Sequence, residues 1–290
     1  MEPTTYDTPG ELALELRLSS GDVMVRTADV EQTTLRISGE QSPDDFSVRF
    51  ESGTDTQRRL IVTERRKRRG GWRIRGVTIE VTAPVATELV LEGAATDLRI
   101  DGEVASVRFA SSSGSASLAE VRGDVSVKTA SGDLTVGTVG GRITAQSASG
   151  DIHVDVVRGD VTARTASGDI GIGDAHGAAQ VSTVSGDVTL SNTSEGATEV
   201  KTVSGDVVIG VAPGTSAFLD VSSKSGSTSS DLPVSDVPVD GSALQLEIRA
   251  NTVSGDVRVR RGSGHFRNAA TRSHRESASG EVTVPPVGSP

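Results

Sequence analysis

The chain has 290 residues, a formal net charge of -10, 33 Gly, no Cys and only 2% aromatic residues. The lack of Cys excludes disulfides, thiol catalysis and Cys-ligated zinc or iron–sulfur sites, and the negative charge disfavours general nucleic-acid binding. So few large rings favour a thin core of Val, Ile, Leu and Ala, in layers whose backbones approach closely.

Residues 1–10 are acidic and polar and have neither the basic nor the apolar region of a signal peptide. We expect this segment to be flexible. No apolar run in the chain reaches the roughly 18 residues of a membrane-spanning helix. The sequence therefore predicts a cytoplasmic protein that meets a membrane only peripherally, if at all.

Residues 11–110 predict an N-terminal cap of irregular strands, which would cover the open sheet edge of a repeat array. A Ser-Gly-Asp turn stands at Ser20–Asp22, and residues 88–109 are weak copies of the repeat that follows. Further strands are expected within residues 11–37 and at residues 46–50, 59–63 and 76–81.

A basic hairpin is expected within this cap, at residues 58–75, with its tip at Arg65–Gly71. It could bind an anionic lipid surface with Trp72 at the interface, or the acidic groups of a partner. It could equally be a solvated loop that contacts the protein's own acidic edge. No specific nucleic-acid ligand is predicted. The candidate partner-binding residues are Arg65, Arg66, Lys67, Arg68, Arg69, Trp72, Arg73 and Arg75.

Residues 111–262 contain a nine-residue repeat that is continuous with the cap. Glycine recurs every nine residues from Gly114 to Gly186, and the series continues at Gly196 and Gly205. Val, Ile, Leu and Ala alternate with polar residues after each Gly, which predicts a short strand with one buried side. The apolar columns stand two and four positions after Gly and two positions before it, as in Val125, Val127 and Ala130.

One repeat unit cannot bury its own apolar side, but a stack of units can. Gly132, Gly150, Gly168, Gly186 and Gly205 all stand in Ser-Gly-Asp, whereas the intervening corners vary in sequence. This alternation predicts coils of 18 residues with two strands and two corners each. The fold class is therefore all-β, a single-stranded β-solenoid or β-roll with two nonapeptide units per coil.

The C-terminal part departs from the regular register. Residues 213–241 are rich in Ser and contain two internal prolines, which predicts a surface loop or irregular coil. A strand is expected at residues 244–250, and residues 252–257 restore one repeat. Residues 263–290 are expected to be mostly flexible, although residues 277–284 resemble a degenerate copy.

The sequence resembles the bacterial putative-adhesin family with β-strand repeats, whose function is unknown. The resemblance lies in Ser20–Val23, Val77–Pro84, the serial Ser-Gly-Asp units and Asn251–Val259, and it covers roughly residues 11–262. It implies a β-solenoid fold and a link with the cell envelope or its stress responses.

The repeat offers two candidate ligand surfaces. A column of aspartates (Asp133, Asp151, Asp169, Asp187 and Asp206) would stack about 4.8 Å apart and either bind cations or brace its own turns. A column of hydroxyls (Thr129, Ser147, Thr165, Thr183 and Thr202) is expected to point outward, where it could match a polysaccharide or simply suit an exposed strand.

The favoured function is a non-enzymatic scaffold or interaction module that binds an unidentified protein or envelope component. Alternatives are a filament-forming solenoid that associates through its coil ends and a polysaccharide-binding or carbohydrate-active solenoid. No catalytic residue, cofactor or metal site is predicted, because no nucleophile motif, phosphate loop or metal-ligand spacing of His is present.

Overall fold

The computed structural model describes residues 2–40, 43–52, 58–65, 76–232 and 246–262. The regular elements in these ranges are strands and one 3-10 turn at Pro43–Asp45, and no helix there is long and apolar enough to cross a membrane. The strands of the N-terminal cap are β1 (Thr4–Asp7), β2 (Leu12–Ala28), β3 (Gln32–Gly39), β4 (Phe46–Ser52), β5 (Arg58–Glu64) and β6 (Val77–Pro84).

The repeat strands form coils that pair in parallel with an offset of 18 residues, so that Val125 lies beside Ile143 and Leu134 beside Ile152. The expected all-β solenoid is thereby confirmed. The strands are β7 (Thr87–Val104), β8 (Ser106–Ser113), β9 (Ala116–Val121), β10 (Val125–Ser131), β11 (Leu134–Val139), β12 (Ile143–Gln146), β13 (Ile152–Val157), β14 (Val161–Arg164), β15 (Ile170–Ala175), β16 (Ala179–Ser182), β17 (Val188–Thr193), β18 (Gly196–Lys201) and β19 (Val207–Val211).

Each coil contributes one strand to each of two broad faces. We call the face of β8, β10, β12, β14, β16 and β18 the front face, and that of β9, β11, β13, β15, β17 and β19 the back face. The chain passes from front to back at the Ser-Gly-Asp corner and from back to front at the variable corner. The long strands β2 and β7 run through the Ser-Gly-Asp corner and belong to both faces.

The core lies between the two faces and consists of the inward side chains of both. Phe109, Leu134, Ile143 and Ile152 are each at most 2% exposed. Period-2 alternation is responsible, because side chains along a strand point alternately into the coil and into solvent. The two faces therefore share one continuous thin core, as the low aromatic content indicated.

At the N-terminal end the cap closes the stack with antiparallel strands. β3 pairs with β6, β4 pairs with β5, and β2 joins the cap to the solenoid by parallel pairing with β5, β6 and β7. The segment 1–10 was expected to be flexible, but β1 within it pairs with β3. Its position is stabilised by the Tyr6 ring, 5.3 Å from that of Phe50, and by a buried 2.7 Å hydrogen bond between Thr8 and Thr33.

At the C-terminal end the strands stack out of chain order. They are β20 (Ala217–Ser225), β21 (Thr228–Ser230), β22 (Leu246–Ser254) and β23 (Val257–Arg261). β22 and β23 pair with β18 and β19 on one side and with β20 and β21 on the other. The later coil therefore lies between the regular array and the earlier one.

The expectation of a loop or irregular coil at residues 213–241 is wrong for the part that forms β20 and β21. Ala217, Leu219 and Val221 are half-buried against the core, whereas Phe218 and Asp220 between them are exposed. This period-2 pattern is that of a strand at the end of the stack. The inner coil contains the fully buried Ile248 and Val259. The more apolar coil thus takes the inner place and the more polar one ends the solenoid.

Candidate functional site

The Ser-Gly-Asp corner has a backbone geometry that requires glycine. Gly168 has a φ of 138°, in the region that side-chain-bearing L-residues rarely adopt. A Cβ on Gly168 would lie 2.3 Å from the carbonyl oxygen of Gly150 in the preceding coil. Gly186 repeats both conditions, with a φ of 149° and a Cβ that would lie 2.1 Å from the Gly168 oxygen. Stacking and backbone conformation together fix this residue in every regular coil.

The variable corner does not have this conformational requirement in its regular coils. The described φ values of Gly123, Gly141, Gly159 and Gly177 lie outside the left-handed region. A Cβ there would still be close to the coil below, for example 2.6 Å from the Gly141 oxygen at Gly159. This corner is therefore restricted by space but not by φ, which is consistent with its variable sequence.

The aspartates of the Ser-Gly-Asp corner form a ladder of hydrogen bonds between coils. The backbone N–H of Asp169 donates to Oδ1 of Asp151 at 2.8 Å, and the N–H of Asp187 donates to Oδ1 of Asp169 at 2.8 Å. The same bond continues through Asp206 and Asp256. The expected bracing of each Asp to its own turn is wrong, because the carboxylate receives its amide from the next coil.

The last carboxylate of the ladder shows the electrostatic consequence. Asp256 Oδ1 accepts the Ser227 backbone N–H at 2.8 Å, and hydrogen bonding from Ser227 lowers the pKa of Asp256, with a smaller contribution from the Arg258 charge. The amide hydrogen bond at this end of the ladder thus stabilises the charged form of the Asp256 carboxyl. Within the described ranges, no His, Cys, Asp or Glu side chains form a group of three or more that could hold a metal ion.

The threonine column was expected to point outward, and the structure corrects this. Thr165 and Thr183 are 6% and 4% exposed, and the Thr165 hydroxyl donates to the Ser167 carbonyl at 3.1 Å. On the front strands the period-2 alternation continues unbroken to the corner, so the residue three positions before Gly faces inward. The hydroxyls of Thr129, Thr165 and Thr183 accordingly bond to corner carbonyls and do not form an outward surface.

Because the front strands keep this alternation up to the corner, the residues two positions before Gly on the front side are exposed. They were expected to be in the core. Val139 and Val157, before the variable corner, are buried, whereas Val184 and Val203 are 52% and 49% exposed. When the sequence is aligned with a period of nine residues, the buried column before the variable corner and the exposed column before the Ser-Gly-Asp corner fall at the same position. We call the exposed column the apolar ridge; its members are Ala130, Ala148, Ala166, Val184, Val203 and Val253.

Next to the apolar ridge, two residues earlier in each coil, lies an outward polar column on the front face. Lys128 stands beside Gln146, Gln146 beside Arg164, Arg164 beside Ser182, and Ser182 beside Lys201. Sequence reasoning did not identify either column as a continuous outward surface. The available signal was the 18-residue register, in which each column is uniform in character.

The predicted basic site cannot be assembled from the described residues. Arg65 is exposed, and its backbone N–H donates to the Asp45 carbonyl at 2.7 Å. His153 and Asp155 form an exposed pair on the back face, 3.1 Å apart. The remaining candidate residues of the basic hairpin lie outside the described ranges: Arg66, Lys67, Arg68, Arg69, Trp72, Arg73 and Arg75.

A family model described as Toastrack DUF4097 matches residues 12–260. The chain belongs to this family. The resemblance seen in the sequence is thereby confirmed, and the Toastrack match spans the cap, the repeat coils and the inner C-terminal coil. A search of curated proteins found no match.

Three solved structures are similar to this Toastrack chain at low identity. A putative cell adhesion protein from Clostridium sporogenes is 8% identical, with a TM-score of 0.26 over 90% of this chain and 99% of its own. Putative adhesins from Bacteroides fragilis and Parabacteroides distasonis are 14% and 9% identical, with TM-scores of 0.32 and 0.39, each over 89% of this chain and 95% of its own. The family assignment rests on the matched residues 12–260.

Proposed function

We propose that the protein is a non-enzymatic interaction module that binds an extended component of the cell envelope along the long axis of its solenoid. The observation that carries this proposal is the apolar ridge. Its valines are about half exposed although their inward neighbours already fill the core, so folding does not require apolar residues there. Aligned exposed apolar side chains favour a contact surface.

The repetition of the surface favours binding over catalysis. A catalytic site concentrates different groups around one reacting atom, whereas this surface presents similar groups at intervals of about 4.8 Å. Such an array can contact a long partner at many equivalent points. Each contact can be weak, because the contributions add along the partner.

The test is co-sedimentation with insoluble bacterial cell-wall fragments, comparing the wild type with the Val184→Ser/Val203→Ser variant. The matched control is Val48→Ser/Phe218→Ser, which removes two exposed apolar side chains outside the ridge, on β4 and β20. We expect the ridge variant to lose at least fivefold of the bound fraction and the control to lose less than twofold. Equal binding by all three proteins, or absent binding by the wild type, would overturn the proposal.

A second candidate function is end-to-end self-assembly, favoured by the two terminal strands of the front face. Among the described residues, β4 pairs only with β5 and β20 pairs only with β22, and each carries an exposed apolar residue, Val48 or Phe218. Unpaired strand edges can pair with another copy. Head-to-tail contact between different ends would give an open filament. Light scattering that rises with concentration and falls in Val48→Ser/Phe218→Ser would support this function; a strict monomer would exclude it.

A further inference from the structure

The two faces of the middle coils carry opposite charge. The front strands β8, β10, β12, β14 and β16 contain Arg108, Lys128 and Arg164 but no Asp or Glu. The back strands β9, β11, β13, β15 and β17 contain no Lys or Arg; their acidic residues are Glu120, Asp155 and Asp174. In a chain with a net charge of -10, this cationic front face attracts anionic partners.

The cations of the front face have a regular spacing. In the outward column beside the apolar ridge, Lys128, Arg164 and Lys201 occupy alternate coils, with Gln146 and Ser182 between them. Neighbouring strands are about 4.8 Å apart, so the charges recur about every 10 Å. Asn251 continues the column beside Lys201 with another hydrogen-bonding group.

The column is available to a ligand. Lys128, Arg164 and Lys201 are all exposed, and no acidic residue stands on the strands of Lys128 and Arg164. Lys201 pairs with Glu199 on its own strand, and this contact lowers the pKa of the Glu199 carboxyl. An exposed ion pair of this kind is screened by solvent, so Lys201 can exchange Glu199 for an anionic ligand.

From this register we propose that the column of Lys128, Arg164 and Lys201 binds an extended anionic polysaccharide that carries one acidic group on every second sugar. One sugar of an extended chain advances by nearly the height of one coil, so its acidic groups would meet the cations. Gln146 and Ser182 would hydrogen-bond the intervening hydroxyls, and the apolar ridge would contact the ring faces. This inference rests on the proposed function and names the chemistry of its partner.

Two other anionic partners fit the column less well. Phosphates in duplex DNA recur every 3.4 Å or so along each strand, much more densely than these cations, and single-stranded nucleic acid is held by stacking on aromatic rings. The one aromatic residue of the front strands β8–β16, Phe109, is buried. Binding to anionic membranes usually relies on a cluster of about four to eight basic residues, whereas this column spreads three over five coils.

The test measures binding of the full chain to hyaluronan, whose carboxylates occur on every second sugar, at several salt concentrations. Dextran, duplex DNA and phosphatidylglycerol vesicles serve as the neutral, nucleic-acid and membrane probes. We expect salt-dependent binding to hyaluronan and at least tenfold weaker binding to each other probe. Preference for DNA or vesicles, or equal binding to dextran, would overturn the proposal.

The decisive variant is Lys128→Gln/Arg164→Gln, which should weaken hyaluronan binding at least tenfold without changing the melting temperature. Arg26→Gln/Arg258→Gln is the matched control; it removes the same charge from exposed back-face positions and should change binding less than twofold. Lys128→Arg/Arg164→Lys keeps the charges and should bind within threefold of the wild type. Equal losses in the two Gln pairs would show a non-specific charge effect and contradict the proposal.

The outcomes separate this inference from the function on which it depends. If hyaluronan does not bind but the Val184→Ser/Val203→Ser variant still loses cell-wall binding, the interaction module stands and its anionic partner is rejected. If neither the ridge variant nor the column variant affects cell-wall binding, the proposed function itself is rejected.

Discussion

The two corners of each coil perform the same geometric task, yet one has a uniform sequence and the other does not. At the Ser-Gly-Asp corner a positive φ, close stacking on the glycine below and an aspartate ladder act on the same three residues. At the variable corner the regular coils have the limit on space and some amide–aspartate bonds, such as that from the Arg142 N–H to Asp124, but no glycine with a positive φ. The regular sequence of this repeat therefore reflects stacking geometry. A ligand is more readily expected at outward positions whose sequence is not constrained by stacking.

The largest effect should come from a side chain at the Ser-Gly-Asp corner. Gly168→Ala combines an unfavourable φ with a Cβ 2.3 Å from the Gly150 oxygen, so we expect a loss of about 3 kcal/mol in urea unfolding. Gly171→Ala in the same coil is the control, since its Cβ would meet only the movable His153 ring at 2.9 Å. It should change stability by less than about 1 kcal/mol.

The variable corner should tolerate the same change better. Gly159→Ala keeps an ordinary φ, and its Cβ would lie 2.6 Å from the Gly141 oxygen, so we expect a loss of only about 1–2 kcal/mol. The measurement is again the urea midpoint. A loss as large as that of Gly168→Ala would show that the two corners are equally constrained.

The aspartate ladder should contribute less than the glycines, because its carboxylates are exposed. Asp169→Ala removes the acceptor for the Asp187 amide and should cost about 1 kcal/mol, with partial recovery in Asp169→Asn, which keeps an acceptor oxygen. Asp174→Ala on the back face is the comparison and should cost less than about 0.5 kcal/mol. Calorimetric melting of the three variants would show this order; equal effects would argue against the ladder.

The end of the ladder should give the solenoid an acid-sensitive coil. The pKa of Asp256 is lowered in the fold from its ordinary value of 3.8, so the carboxylate stabilises the fold above that value. This contribution is lost as the pH falls through the lowered pKa. Acid unfolding of wild type and Asp256→Asn, with NMR of the Ser227 amide, should show a weaker pH dependence in the variant. Identical profiles would contradict a role for the carboxylate.

The smallest effect on stability is expected at the apolar ridge. Val184→Ser should change the free energy of unfolding by less than about 0.5 kcal/mol because Val184 is 52% exposed. Val181→Ser, three residues earlier and buried, should cost at least about 2 kcal/mol. A large loss in Val184→Ser would mean that the ridge is structural and would weaken its assignment as a contact surface.

The sequence was sufficient for the solenoid and its 18-residue coil, because the glycine at the Ser-Gly-Asp corner recurs wherever stacking requires it. It was insufficient to predict which of Thr129 and Ala130 faces inward. The nine-residue repeat treats the two halves of a coil as equivalent, whereas only the front strand continues its alternation up to the corner. The position of β20 outside β22 depends on which of two coils packs against the C-terminal end of the regular array. A local sequence pattern does not determine this. In the sequence, Lys128 and Arg164 are ordinary surface residues, and only the strand register shows that they lie in one column.

The uniform corner of the repeat is structural, and we propose that binding takes place on the front face. The most direct test measures melting temperature and hyaluronan affinity together for Asp169→Ala and for Lys128→Gln/Arg164→Gln. We predict that the aspartate variant melts earlier and binds like the wild type, whereas the front-face variant melts like the wild type and binds at least tenfold more weakly. Loss of binding in Asp169→Ala at an unchanged melting temperature would contradict the claim.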